Sequence, residues 1–217
     1  MKIHRMPQRS HEWEDERLKC CFTASDASYI VTPNGKASTQ SRKLLYLKVA
    51  QRLLNRPLRW RATTEAMEHG TRYEDDARFD FERRNGIEVD QVGLITTDDG
   101  RLGCSPDGLI DNGHTGLEIK APQPWTQIGY LLDGCDDYYG QMQAQMLIAE
   151  LDAVTFYSYH PELSPVQKRY PRDEPYIRFL NGLLQRFCDD VEAEHERALR
   201  LGDDWWRNFR GTDEDCD

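Results

Sequence analysis

The stretch Ser105-Pro106-Asp107-Gly108-Leu109-Ile110-Asp111-Asn112-Gly113-His114-Thr115-Gly116-Leu117-Glu118-Ile119-Lys120-Ala121-Pro122 decides the fold. Its Asp111-Asn112-Gly113 is a strong tight-turn signal, because Asn and Gly accept the positive φ that such turns require. The turn joins an extended run, Arg101 to Ile110, to a short strand over Gly116 to Ala121, which Pro122 and Pro124 close. Side chains alternate along a strand, so Glu118 and Lys120 share one face, with Asp107 opposite them at a bend in the preceding segment.

Upstream, Gln91 to Thr97 reads as a further strand, turned by Asp98-Asp99-Gly100 into the run that starts at Arg101. A helix is expected from about Glu65 to Arg84, interrupted near Gly70 and stopped by Asn85-Gly86. Ser41 to Leu54 has helical periodicity, with Leu44, Leu47, Ala50 and Leu54 on one side and Lys48 and Arg52 on another; Pro57 ends it. Downstream, helical spacing returns over about Tyr138 to Glu150, and Ala153 to Tyr159 is rich in β-branched and aromatic residues. From Pro175 to Leu201, Ile177, Leu180, Leu184, Phe187 and Val191 recur at helical intervals. The order α, β-meander, α-β-α predicts a single-domain α/β fold, a mixed central sheet flanked by helices, over residues 1–202. Residues 203–217 are read as an acidic, partly disordered tail.

The formal charge of −10 speaks against a nucleic-acid partner, since phosphate neutralisation by Lys and Arg dominates such affinity. Its distribution speaks for one. No acid occurs from Ala27 to Thr64, where Lys36, Arg42, Lys43, Lys48, Arg52, Arg56, Arg59 and Arg61 contribute eight positive charges. A plain solvated basic face explains that segment equally well. The six cysteines are scattered rather than paired at metal-ligand spacing, and are read as reduced thiols without zinc or an iron-sulfur cluster. No run approaches the ~20 apolar residues of a membrane span, and no apolar stretch follows Met1-Lys2-Ile3-His4-Arg5. No membrane partner is expected, and a cytoplasmic location is.

A strand that sets a Glu and a Lys side by side, with an Asp across the hairpin, makes a hard-oxygen site suited to Mg²⁺ beside a fixed cation. An ordinary exposed ion pair between Glu118 and Lys120 gives the same pattern. The neighbours turn the balance. With Ser105-Pro106-Asp107-Gly108 and Gly116-Leu117-Glu118-Ile119-Lys120, the sequence resembles the PD-(D/E)xK nuclease superfamily, and more narrowly its lambda-exonuclease-like branch, the YqaJ-like viral recombinase family. Gly70-Thr71-Arg72-Tyr73-Glu74 and Tyr138-Tyr139-Gly140-Gln141-Met142-Gln143 match two further segments of that family, in the same order.

The resemblance implies Asp107, Glu118, Lys120, Glu74 and Gln141 as catalytic residues. It implies Asp107, Glu118, Ile119 and Glu74 around Mg²⁺, for which Mn²⁺ would substitute. Trp13 with Arg17, and Thr23-Ala24-Ser25, are similar to elements that in this family hold a 5′-phosphate together with the serine of Ser-Pro-Asp-Gly. Those roles fall on Arg17, Ser25 and Ser105, although Arg17 and Ser25 stand one residue further apart here than in the family pattern. DNA contacts are expected at Lys36, Lys48 and Arg52, and Met67 matches an apolar wedge that parts the terminal base pair. The implied activity is Mg²⁺-dependent 5′-to-3′ digestion of one strand of linear double-stranded DNA. The implied partners are two further copies of the chain in a ring and a single-strand annealing protein. A RecB-like or restriction-type endonuclease of the same superfamily, or a non-catalytic DNA-binding scaffold, are the competing readings.

Overall fold

The computed structural model describes residues 1–58 and 65–210, with 65–67 and 203–210 as backbone alone. The extended run from Arg101 does not form one strand. It breaks at Ser105-Pro106-Asp107, where proline removes a backbone donor, and the two halves enter different sheets. The first sheet contains β1 (Lys2–His4), β2 (Phe22–Thr23), β3 (Leu94–Thr96) and β4 (Leu102–Cys104), ordered β1-β3-β4-β2. Its β2–β4 pair is parallel and the others antiparallel. The second contains β5 (Gly108–Ile110), β6 (Thr115–Lys120), β7 (Ala153–His160) and β8 (Leu163–Pro171), in sequential order. Only its β6–β7 pair is parallel.

The Asp111-Asn112-Gly113 turn is made as expected, with φ of 53°, 56° and 88°. Gly108 is required by space. A Cβ there would come within 2.0 Å of Val89 Cγ1, where the backbone of Asp90 bridges to Leu109.

Parallel strands need a crossover, and between β6 and β7 it consists of α5 (Pro124–Asp133) and α6 (Tyr139–Ile148). Helix α5 was not expected. Pro122 and Pro124 do close β6, but Pro124 also occupies the first turn of a helix, where its missing N–H has no partner to lose. Strand β8 was also missed, being mostly exposed and weakly patterned. Helix α3 (Ser41–Leu54) has the expected bounds, and α4 (Glu65–Asn85) runs unbroken through Gly70.

Two cores result. In the larger, Met142, Ala144, Met146 and Ile148 of α6 pack with Val154 and Phe156 of β7 and with Ile177, Leu180, Leu184 and Val191 of α7 (Glu174–Arg210). In the smaller, Ala77 and Phe81 of α4 cover Leu117 and Ile119 of β6 and Tyr157 of β7. Backbone over 203–210, expected in a tail, continues α7, and 211–217 lie outside the described residues. Cys20, Cys21, Cys104, Cys135 and Cys188 are free and buried, and Cys216 lies outside the description. No helix among the described residues is long and apolar enough to cross a membrane.

Candidate active site

Alternation along β6 places Glu118 and Lys120 together, as expected, but the pair is not a surface one. Glu118 is 2% exposed, and the Lys120 ammonium donates to its Oε1. Helix α6 supplies two more donors. Gln141 Nε2 reaches Glu118 Oε1 at 2.7 Å, and Gln145 Nε2, one turn on, reaches Oε2 at 2.5 Å. Both oxygens of a buried carboxylate are thus satisfied by ionised or amide donors, the condition under which burying its charge is tolerable. Gln145 was not singled out in the sequence, although its i+4 spacing from Gln141 puts both on one face.

Asp107 sits at the break between the sheets. Its N–H bonds to Leu117 O at 2.9 Å and its Oδ2 accepts from the N–H of Ile119 at 2.6 Å, so β6 fixes it from both ends. Gln8 Nε2 holds the bend from the other side, donating to Val92 O at 3.0 Å and Pro106 O at 2.9 Å. Burial, and then the charge of Glu118, push the Asp107 carboxyl up to about 8. Lys120 goes the same way for a different reason. Burial lowers it, but Glu118 and Asp107 outweigh burial and hold it above the ordinary lysine range, as an ammonium. Its Nζ also lies 4.9 Å from the centre of the Tyr138 ring.

Glu74 reaches the same region from α4, since its charge also raises Asp107. Its carboxylate is paired with Arg9, and the two line a cavity of about 490 Å³ with Gln8, Arg78 and Asp107. Among the described residues no three His, Cys, Asp or Glu side chains gather as a metal-binding cluster. The donor chemistry still fits a hard divalent cation. The charge of Glu118 raises the neighbouring Asp107, and such closely spaced carboxylates are what Mg²⁺ neutralises with few protein ligands.

A second group of polar side chains lies on the first sheet's side. Arg17 Nη2 donates to Ser25 Oγ at 2.6 Å and to Thr23 Oγ1 at 3.0 Å, so the extra residue between Arg17 and Ser25 does not separate them. The Arg17 guanidinium lies 4.7 Å from the centre of the Trp13 ring, and Trp13 Nε1 donates to Ser105 Oγ at 3.0 Å. Arg17, Ser25 and Ser105 are therefore linked through one tryptophan. Ser25 and Gln141 line the same cavity of about 410 Å³, and Gln141 in turn donates to Glu118.

The residues expected to contact DNA divide. Lys36 is exposed on the loop at Gly35. Lys48, expected on an outward basic face, is turned inward. It is 9% exposed, and its Nζ pairs with Asp26 at 2.9 Å. The buried line of α3 runs through Leu44, Lys48 and Val49 rather than through Leu54, which is exposed, because Asp26 supplies the compensating charge. Arg52 is half-buried and donates to Cys21 Sγ at 2.9 Å. The Met67 side chain, with Arg59 and Arg61, lies outside the described residues.

A family model of the YqaJ-like viral recombinase domain matches residues 12–152, which hold Glu74, Asp107, Glu118, Lys120, Gln141 and Gln145. The crystal structure of an alkaline exonuclease, LHK-Exo, from Laribacter hongkongensis is similar at 30% identity and a TM-score of 0.79, covering 90% of this chain and 100% of that one. LHK-Exo in complex with dAMP matches to the same extent. A phage related exonuclease from Haemophilus somnus shares the fold, at 12% identity and a TM-score of 0.62 over 80% of this chain and 95% of its own. An uncharacterized protein of Acanthamoeba polyphaga mimivirus is 27% identical over 67% of this chain, which spans only 28% of that relative's length.

Proposed function

Because the chain belongs to the YqaJ-like viral recombinase domain family, we propose that it is a divalent-metal-dependent exonuclease that digests one strand of linear double-stranded DNA from its 5′ end. One observation carries the reading: a Glu118 carboxylate that is 2% exposed yet bound by Lys120, Gln141 and Gln145, beside an Asp107 whose acid is raised. So costly a group of buried charges is hard to explain as packing and natural as a site for phosphodiester chemistry.

Asp107, Glu118, Glu74 and Ile119 are the residues that would hold Mg²⁺, or Mn²⁺ in its place. When bound, the metal supplies Lewis-acid activation of water and neutralises charge on the phosphate. Gln141 and Gln145 hold the Glu118 carboxylate in one orientation, in which it would present itself to a bound cation. Lys120, held as an ammonium, stabilises charge that develops at phosphorus rather than accepting a proton. Arg17, Ser25 and Ser105 receive the terminal 5′-phosphate, with the guanidinium offering paired donors and the hydroxyls neutral ones. The dAMP held by LHK-Exo supports a mononucleotide product.

In this reading the chain works as a homotrimeric ring that encloses duplex, beside a single-strand annealing protein to which the product strand passes. The test is digestion of linear duplex bearing 5′-phosphate, 5′-hydroxyl or labelled 3′ ends, and of covalently closed circles, with Mg²⁺ or EDTA. Linear substrates should shorten from the 5′ end with Mg²⁺ alone, while circles persist. Cleavage of circles at a comparable rate would replace the exonuclease with an endonuclease. Undiminished cleavage in EDTA would remove the metal.

A further inference from the structure

Lys48 and Asp26 form an ion pair that the reading above leaves without a use. Their side chains are 11% and 20% exposed, on two different elements, α3 and the turn after β2. What the pair touches explains it. Thr23 Oγ1 donates to Asp26 Oδ2 at 2.8 Å. A hydroxyl has one proton and two lone pairs, so with its proton on Asp26 Thr23 can only accept from its other neighbours. Those neighbours are Arg17 Nη2 at 3.0 Å and Ser25 Oγ at 3.2 Å. Thr23 is 2% exposed.

We propose that Lys48, Asp26 and Thr23 are positioning residues that order the donors of Arg17 and Ser25 for a 5′-phosphate. The inference rests on the 5′-end reading and deepens it. Asp26 takes the Thr23 proton, Thr23 then accepts from Arg17, and Arg17 gives its Nη2 to Ser25 Oγ as well. With Ser25 Oγ already accepting from Arg17, the Ser25 proton points away from the guanidinium. It rests against Thr23 until a phosphate oxygen arrives, and Ser25 is exposed to receive one. Lys48 has a separate task. An unpaired Asp26 two bonds from the pocket would repel the phosphate, and the ammonium at 2.9 Å cancels that charge. An exposed lysine would contact DNA directly; this one acts through the pocket.

The experiment measures kcat and KM for the full chain on linear duplex with 5′-phosphate and with 5′-hydroxyl ends. Thr23→Val keeps the shape of the residue and removes the hydroxyl. The ratio of kcat/KM on phosphorylated over hydroxyl ends should fall about tenfold, the scale of one charge-assisted hydrogen bond, chiefly through KM. Thr23→Ser should restore it, which a purely structural role at this buried position does not predict. If Thr23→Val does not fold, Lys48→Gln reads the same network with the hydroxyl intact. It should lower the ratio by a similar factor, and Asp26→Asn added to it should recover part of the loss. A full phosphate preference in Thr23→Val, or in Lys48→Gln, overturns the inference and leaves the 5′-end reading standing. A wild-type protein indifferent to the 5′-phosphate overturns both.

Discussion

On one face of β6, Leu117 and Ile119 meet Ala77 and Phe81 of α4 and Tyr157 of β7; on the other, Glu118 meets Lys120 and the glutamines of α6. The residues alternate along six positions of a single strand, and both faces are buried up to Ile119. One face gains stability from apolar area removed from water, at roughly 25 cal/mol per Å². The other buries charges whose desolvation their mutual attraction offsets only in part. The contrast separates what holds this fold together from what it is built to do, and each face can be broken without the other.

The largest effect is expected on the charged face. Lys120→Met removes the ammonium while keeping a long apolar side chain, and turnover on linear duplex should fall by on the order of 10²–10³-fold. The melting temperature should fall as well, because Glu118 stays buried without its cationic partner, so turnover is read per folded molecule. Single-turnover kinetics with pre-bound DNA check this. A mutant that fails to bind DNA in Ca²⁺ would make Lys120 a phosphate contact instead.

Next comes the apolar face. Leu117 is fully buried, and Leu117→Ala should destabilise the protein by ~2–5 kcal/mol through lost burial and the cavity it leaves. Denaturant unfolding gives that number. The folded fraction should keep a specific activity near that of the wild type, and a large loss there would mean that α4 and the site are coupled more tightly than the two faces suggest.

The contrast also shows what a sequence can and cannot declare. Alternation and the tight turn sufficed to put Asp107, Glu118 and Lys120 in one place, and Gln141 followed from the family pattern. The bounds of α3 were legible because periodicity and a following proline are local signals. Its orientation was not, since the partner that lets Lys48 face inward, Asp26, lies 22 residues earlier and on another element. The break at Ser105-Pro106-Asp107 was visible as a bend, yet nothing local says that the chain then changes sheets. Helix α1 (His11–Lys19) went unread because Trp13 is its buried residue and most of its surface is charged. The pairing of Glu74 with Arg9 is equally long-range, between residues that no periodicity connects.

A smaller effect on stability, with opposite sign to that of most substitutions, is expected at Asp107. Asp107→Asn should abolish digestion and raise the melting temperature in EDTA, because it removes one of two buried acids that repel each other. Mg²⁺ should raise the melting temperature of the wild type by binding the folded state, and should do so far less in Asp107→Asn. Equal stabilisation of both by Mg²⁺ would put the cation elsewhere.

The smallest effect compares acids on the two faces through pH. On the α4 side, Asp80 accepts from Tyr157 Oη at 2.6 Å, Arg84 at 2.6 Å and Arg83 at 2.9 Å. Burial raises Asp80, but the tyrosine and the two arginines outweigh it and hold the carboxyl below its ordinary value. A folded-state value below the unfolded one means that stability is fully present above the unfolded value and is lost as pH falls through the folded one. Asp107, raised to about 8, has the reverse sign. In the absence of metal its folded state holds the proton more tightly, so stability declines as pH rises from the ordinary carboxylate range towards about 8. Asp80→Asn should therefore flatten the acid limb of a stability profile measured in EDTA, and Asp107→Asn the limb between about 4 and 8. The Asp80 change should be the more modest, because both arginines are about half exposed or more and solvent screens them. If Asp107→Asn flattened the acid limb instead, Asp107 would be a stabilising ionised acid, and the two faces of β6 would differ in shape alone.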